Sequence, residues 1–161
     1  MYACDGRWWE TYGADCLKKA TGEKWIQNCD AKREHDKLHV DAAKKFNLNV
    51  VYGRSLPGLG RDVVHYGANS GYQAINLAYL WGASKIVLLG FDMQPTGGKV
   101  HFFGDHKAGL CNGPAFNNII PKFTKLAEDL AAEGVEVINC SRQTALTCFK
   151  RQYLETVLQS L

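Results

Sequence analysis

The chain has 161 residues, a length that points to one domain. Hydrophobic residues make up 46%, enough for a core, and a formal charge of +3 is too mild to argue for nucleic acid. Lysines and arginines are densest from Lys18 to Lys45, the pattern of a solvated helical face.

No apolar run approaches the length of a membrane span. The opening "MYACDGRWWE" is charged and aromatic almost at once, unlike a secretion signal. Six cysteines stand at 4, 16, 29, 111, 140 and 148, none in a CxxC pair. They read as reduced thiols of a cytoplasmic protein rather than as a disulfide framework.

In chain order, "MYACD" and "KWIQNCD" read as strands that end in polar residues, "AKREHDKLHVDAAKKF" as a helix and "LNVVYG" as a further strand. Pro57, Gly58 and Gly60 mark a loop. "DVVHY" (62–66) is a short strand. Next, Ala74, Leu77, Ala78 and Trp81 recur at i, i+3, i+4 and i+7, which predicts a helix that Gly82 ends. "KIVLLGFDM" (85–93) is a continuous apolar run, as in a strand covered on both faces. A glycine-rich loop follows over 94–113. Phe116, Ile119, Ile120, Phe123, Leu126, Ala127, Leu130 and Ala131 form one helical stripe that stops at Gly134. "VEVIN" (135–139) is again a strand, and a last helix is expected over about 144–160. Alternating strands and helices with short connections imply an α/β fold, Rossmann-like, with a mostly parallel sheet and helices on both faces.

In open parallel sheets, ligands sit beyond the carboxyl ends of the strands. Small or polar residues follow three expected strands: "GANSG" (67–71), Asp92, and Cys140-Ser141-Arg142. The turn 67–71 also opens a helix, whose free N–H groups and dipole favour an anion. Its small residues would let a phosphate approach the backbone. Asn69 and Ser70 could then bond a sugar or base edge. The alternative is a tight strand–helix turn with Ser70 as the N-cap.

Two more clusters carry chemistry. "VHFFGDHKAGLC" (100–111) holds His101, Asp105, His106 and Cys111. A histidine there can act as general base, oriented by a neighbouring carboxylate. Four ligand types raise zinc as well, although His-x4-His-x4-Cys matches no common structural zinc pattern. A solvent-facing loop without chemistry is the third option. In "CDGRWWETYG" (4–13), Asp5 follows an apolar strand, and Trp8, Trp9 and Tyr12 could stack on a base or a sugar. At least one tryptophan is expected in the core.

These segments together resemble a family. "GANSGYQAINLAYLWGASKIVLLGFDM", then "HFFGDH" and "EVINCS", are similar to the bacterial sialyltransferases that use CMP-sialic acid, and to the group of archaeal hydroxymethyl-dihydropterin pyrophosphokinases. The resemblance extends to prophage-encoded relatives through "CDGRWW" and "SRQTALTCF". It implies a nucleotide-binding Rossmann-like fold, with a nucleotide or nucleotide-sugar as substrate and no further cofactor. Asn69, Ser70 and Gly71 match the turn that contacts the nucleotide. Asp92 matches a strand-end residue near the same site, and Asp5 and Ser141 lie at the other strand ends. The loop from His101 matches the one that carries the catalytic histidine.

Two departures stand out. In the sialyltransferases the histidine follows the glycine directly, whereas here Asp105 takes that place and His106 comes next. Relatives also begin with a further strand and a Gly/Pro/Ser-rich nucleotide loop, while this sequence starts at Met1-Tyr2. The expectation is therefore one nucleotide-binding domain over 1–161, shortened at its N-terminus or completed by another subunit in a homo-oligomer. The leading functional expectation is glycosyltransferase-like transfer to an acceptor hydroxyl, with His106 as base and Asp105 beside it. A non-enzymatic nucleotide-binding or assembly protein of phage origin is the alternative, and metal-assisted hydrolysis the second.

Overall fold

The computed structural model describes residues 1–28, 34–67, 69–107, 110 and 116–160, apart from the side chains of 34–36. Helices and strands are mixed, and the strands form small parallel sheets. Two compact units divide the chain: Met1–Arg54 with His106–Cys111, and Ser55–Asp105 with Asn112–Leu161.

In the first unit, α1 (Gly6–Lys19) is followed by β1 (Trp25–Gln27), α2 (Glu34–Phe46), β2 (Asn49–Val51) and β3 (Gly53–Arg54). β1 and β2 pair in parallel, with Ile26 opposite Val50. The expected strand at "MYACD" is reduced to a single parallel bridge between Tyr2 and Trp25. Positions 31–33 of the expected helix lie outside the described residues; its remainder is α2.

α1 was not expected, and its sequence shows why. Gly6 and Gly13 lower its helix propensity, yet both meet α2. A Cβ on Gly6 would stand 2.8 Å from the Leu38 carbonyl, and one on Gly13 would stand 2.9 Å from the Phe46 ring. Tertiary packing, not propensity, sets this helix. Trp9 is fully buried with Ala3, Ile26, Ala42, Phe46 and Leu48, as expected for one tryptophan of the cluster. Its indole Nε1 donates to the Ala3 carbonyl at 3.0 Å, so the buried donor is satisfied.

The second unit holds β4 (Val64–His65), α3 (Ser70–Leu80), β5 (Lys85–Leu88), α4 (Phe116–Ala132), β6 (Glu136–Asn139), β7 (Lys150–Arg151) and α5 (Leu154–Leu158). β6 lies between β5 and β7, and both pairings are parallel. Ile86, Leu88 and Val137 share a core with Tyr72 and Ile75 of α3 and with Phe123, Leu126 and Leu130 of α4. Ile138 and Cys140 form a second cluster with Val157 of α5.

Three expectations are corrected here. Of the expected α3 stripe, Leu77 is buried and Ala78 packs against the core, but Ala74 and Trp81 are exposed, and Tyr72, Gln73, Ile75 and Asn76 complete the buried side. Tyr72 and Ile75 pack into the core of the unit, and Asn76 bonds the backbone of Gly60 and His65 from there. The apolar run 85–93 is a strand only to Leu88: Gly90 and Met93 take positive φ of 73° and 49°, which breaks the extended backbone. Finally, 144–153 is not helical. Thr144 Oγ1 donates to the Phe91 carbonyl at 2.7 Å and accepts from the Leu146 N–H at 2.9 Å. Side-chain bonds of this kind compete with helix formation. Residues 150–151 then join the sheet, and only α5 is helical.

Among the described residues no helix is long and apolar enough to cross a membrane.

Candidate functional site at the strand ends of the second unit

Because β5, β6 and β7 run in parallel, their carboxyl ends open on the same edge. Leu89 to Asp92 follow β5, Cys140 to Arg142 follow β6, and Gln152 and Tyr153 follow β7. A buried polar network ties these ends together. The Phe91 N–H donates to Ser141 Oγ at 2.7 Å. Asn139, fully buried at the last position of β6, accepts from the Ser141 N–H at 3.0 Å and donates Nδ2 to Thr144 Oγ1 at 3.2 Å. The Ala145 N–H reaches the Asp92 carbonyl at 2.8 Å. Buried polar groups need such partners, and here they hold two loops in fixed positions.

Beside this network lies a cleft of about 670 Å³. Leu89, Ser141, Arg142, Arg151, Gln152 and Tyr153 contribute to its wall. Leu89 is 58% exposed and Tyr153 77%, so apolar and aromatic surface is available next to the two guanidinium groups.

The expected nucleotide-contacting residues divide into distinct roles. Ser141 is 4% exposed and its hydroxyl accepts from Phe91, so it acts as a strut as well as a cleft residue. The Asp92 carboxylate accepts from Thr96 Oγ1 at 3.0 Å. In the turn before α3, Ala68 lies outside the described residues. The cap of that helix is Asn69, not Ser70: Asn69 Oδ1 accepts from the Tyr72 N–H at 2.7 Å, and Ser70 is the first helical residue. Asn69 has the geometry that Ser70 was expected to supply, because its backbone is extended (φ −151°, ψ 163°).

The glycines of this turn have packing reasons. Gly67 has φ +52°, and a Cβ there would stand 2.0 Å from the Tyr72 ring. On Gly71 a Cβ would stand 2.9 Å from the Phe91 ring. The space expected beside Gly71 for a phosphate is therefore bordered by Phe91.

Asp5 and His106 belong to the first unit. Asp5 caps α1, accepting from the Arg7 N–H at 2.8 Å, and forms an ion pair with Arg7 Nη2 at 2.8 Å. Burial pushes its carboxyl up, but the Arg7 hydrogen bonds and charge outweigh burial and hold it below the ordinary carboxylate range. His106 Nδ1 lies 3.5 Å from Tyr12 Oη, which also accepts from the Lys107 N–H at 3.2 Å. The Lys107 ammonium stands 5.4 Å from the centre of the Tyr12 ring. Tyr12, expected only as a stacking surface, thus lies against His106, with ring centres 6.1 Å apart. Asp105 is exposed and belongs to the second unit, as does His101, whose ring stacks on Phe103. Cys111 lies outside the described residues. Among the described residues no three His, Cys, Asp or Glu side chains are grouped so as to hold a metal ion.

Sequence reasoning missed Asn139, Thr144 and Arg151. The signal for Asn139 was an amide at the end of an apolar strand, where a buried polar group must find partners. Nothing in the local pattern marked Arg151, because β7 is only two residues long. No family model, curated protein or solved structure gives a significant match to the chain.

Proposed function

We propose that this chain binds a nucleotide or nucleotide-sugar at the carboxyl edge of β5, β6 and β7, as donor in the transfer of an activated group to an acceptor hydroxyl. The observation that carries this reading is the parallel β5–β6–β7 sheet whose strand ends border one cleft. Open parallel sheets take ligands in the crevice outside the carboxyl ends of their strands. The Rossmann-like expectation for this unit fits with residues of α3 and α4 packing on Ile86 and Leu88 and with Val157 of α5 packing on Ile138.

The transfer step has a definite balance. The acceptor oxygen bonds to the transferred carbon, the bond from that carbon to the donor phosphate oxygen breaks, and the departing nucleotide keeps the electron pair. The acceptor proton goes to a base; the resemblance gives that role to His106, a residue of the first unit.

The test separates binding from turnover. Thermal unfolding is followed with a panel of nucleoside mono- and diphosphates and CMP- and UDP-sugars. A ligand at 100 times its Kd should stabilise by about 2.7 kcal/mol. If no member of the panel shifts the transition, the nucleotide reading fails. With a donor identified, His106→Ala should leave its binding nearly intact and lower turnover by about 10²–10⁴-fold. Turnover unchanged in that variant removes His106 from the chemistry. A donor that binds but is never consumed establishes a binding protein instead.

A further inference from the structure

Resting on the nucleotide reading of the same edge, we infer that Arg142 and Arg151 hold the phosphate groups of the ligand, and that the glycine turn at 67–71 does not.

The turn is already occupied by its own chain. Asn69 Oδ1 takes the Tyr72 N–H that a helix-bound anion would need. Phe91 borders Gly71, and Tyr72 fills the space over Gly67. Those contacts explain Gly67 and Gly71 without any ligand.

The cleft instead presents cationic donors. Arg142 follows β6, and Arg151 is the last residue of β7, so two neighbouring parallel strands deliver one guanidinium each. Neither arginine has a carboxylate ion-pair partner among the described residues, whereas Arg61 is paired with Glu133 at 2.6 Å. Arg151 Nη2 donates to the Arg142 carbonyl, which joins the two segments. Glu155 also lines the cleft, so two cations face one carboxylate and a net positive charge remains. Guanidinium groups suit a phosphate ligand, because each presents a planar fork of donors that matches phosphate oxygens in pairs. Exposed Tyr153 and Leu89 border the same space, which fits a ligand with one anionic end and one planar, less polar end.

The experiment is isothermal titration of the full chain with CMP, ADP and inorganic pyrophosphate, on wild type, Arg142→Gln, Arg151→Gln, Arg142→Lys and Arg61→Gln. The replaced side chains are exposed. Unfolding midpoints near that of wild type confirm that each variant is folded. Arg142→Gln and Arg151→Gln should each weaken nucleotide binding by about 10–100-fold. Arg142→Lys should recover part of the loss, because the charge remains and the fork does not. Arg61→Gln should bind as wild type.

Wild-type affinity in both glutamine variants overturns the inference while leaving the nucleotide reading intact. An equal loss in Arg61→Gln overturns it too, since overall charge would then explain the effect. Pyrophosphate binding that depends on the two arginines, with no nucleotide binding, upholds the anion site and removes the nucleotide reading. No binding of any of the three probes by wild type overturns both.

Discussion

The hydroxyl of Ser141 accepts the backbone N–H of Phe91 at 2.7 Å, joining the loop after β5 to the loop after β6. Ser141 is 4% exposed, so water cannot easily replace this bond. Ser141→Ala leaves the Phe91 N–H without its acceptor and should cost about 1–3 kcal/mol. Denaturant unfolding measures the loss. A change below about 0.5 kcal/mol, within the range of an ordinary surface substitution, would mean that the loops are held by other contacts.

Asn76 makes a stronger case for buried polar structure. It is fully buried; its Oδ1 accepts from the Gly60 and His65 N–H groups at 3.0 and 2.9 Å, and its Nδ2 donates to the Gly60 carbonyl at 2.8 Å. Asn76→Leu has a similar size and removes all three bonds. It should destabilise the protein by about 2–4 kcal/mol, since several backbone groups lose partners at once. Stability equal to wild type would show that the 57–66 loop does not depend on α3.

How far the sequence carried can be judged from such residues. The α4 stripe was legible because Phe123, Leu126 and Leu130 repeat at helical spacing, and all three are buried. The α3 register was legible only in part: Leu77 and Ala78 do face the core, but Gln73 and Asn76 are polar, and periodicity places polar residues outside. α1 was hidden by Gly6 and Gly13, whose value appears only once α2 is packed against them. The shared edge of the strand ends was legible, and Asp92 and Ser141 do follow β5 and β6 there. The roles of Asn69 and Ser141 as backbone acceptors were not legible. That of Ser141 depends on a distant N–H, which no local spacing encodes; the Asn69 cap is local, to Tyr72, and lies one residue before the expected Ser70.

The crossing of α1 and α2 gives a paired prediction. The Cβ of Gly6→Ala would meet the Leu38 backbone at 2.8 Å, and backbone cannot step aside. In Gly13→Ala the new methyl meets the Phe46 ring at 2.9 Å, and the mid-helix propensity gain of about 1 kcal/mol offsets part of the clash. Gly6→Ala should therefore be the worse of the two, with a loss of about 1–3 kcal/mol. Equal stabilities by thermal unfolding would show that the helices are not packed this closely.

Asp5 sets an acid limit. Its carboxyl is held below the ordinary carboxylate range in the folded chain, mainly by Arg7 working against burial. The unfolded state then binds this proton more readily. The group's contribution is full above the ordinary carboxylate range and is lost as pH falls through the lowered folded value. Asp5→Asn keeps a good helix cap but has no charge to lose. Unfolding midpoints from pH 7 down to pH 3 should fall less steeply for Asp5→Asn than for wild type. Parallel curves would show that the Arg7 pairing adds nothing to stability, an outcome available to a pair whose side chains are 43% and 31% exposed.

The ligand position is tested most directly by amide chemical-shift mapping. The ¹⁵N-labelled chain is titrated with whichever nucleoside mono- or diphosphate stabilises it most, and perturbed amides are assigned. The predicted result is a saturable set of shifts centred on residues 89–92, 140–144 and 151–155, with Arg142 and Arg151 at its middle. Shifts centred instead on residues 67–72 would contradict the placement of the anion, and the absence of saturable shifts anywhere would contradict nucleotide binding itself.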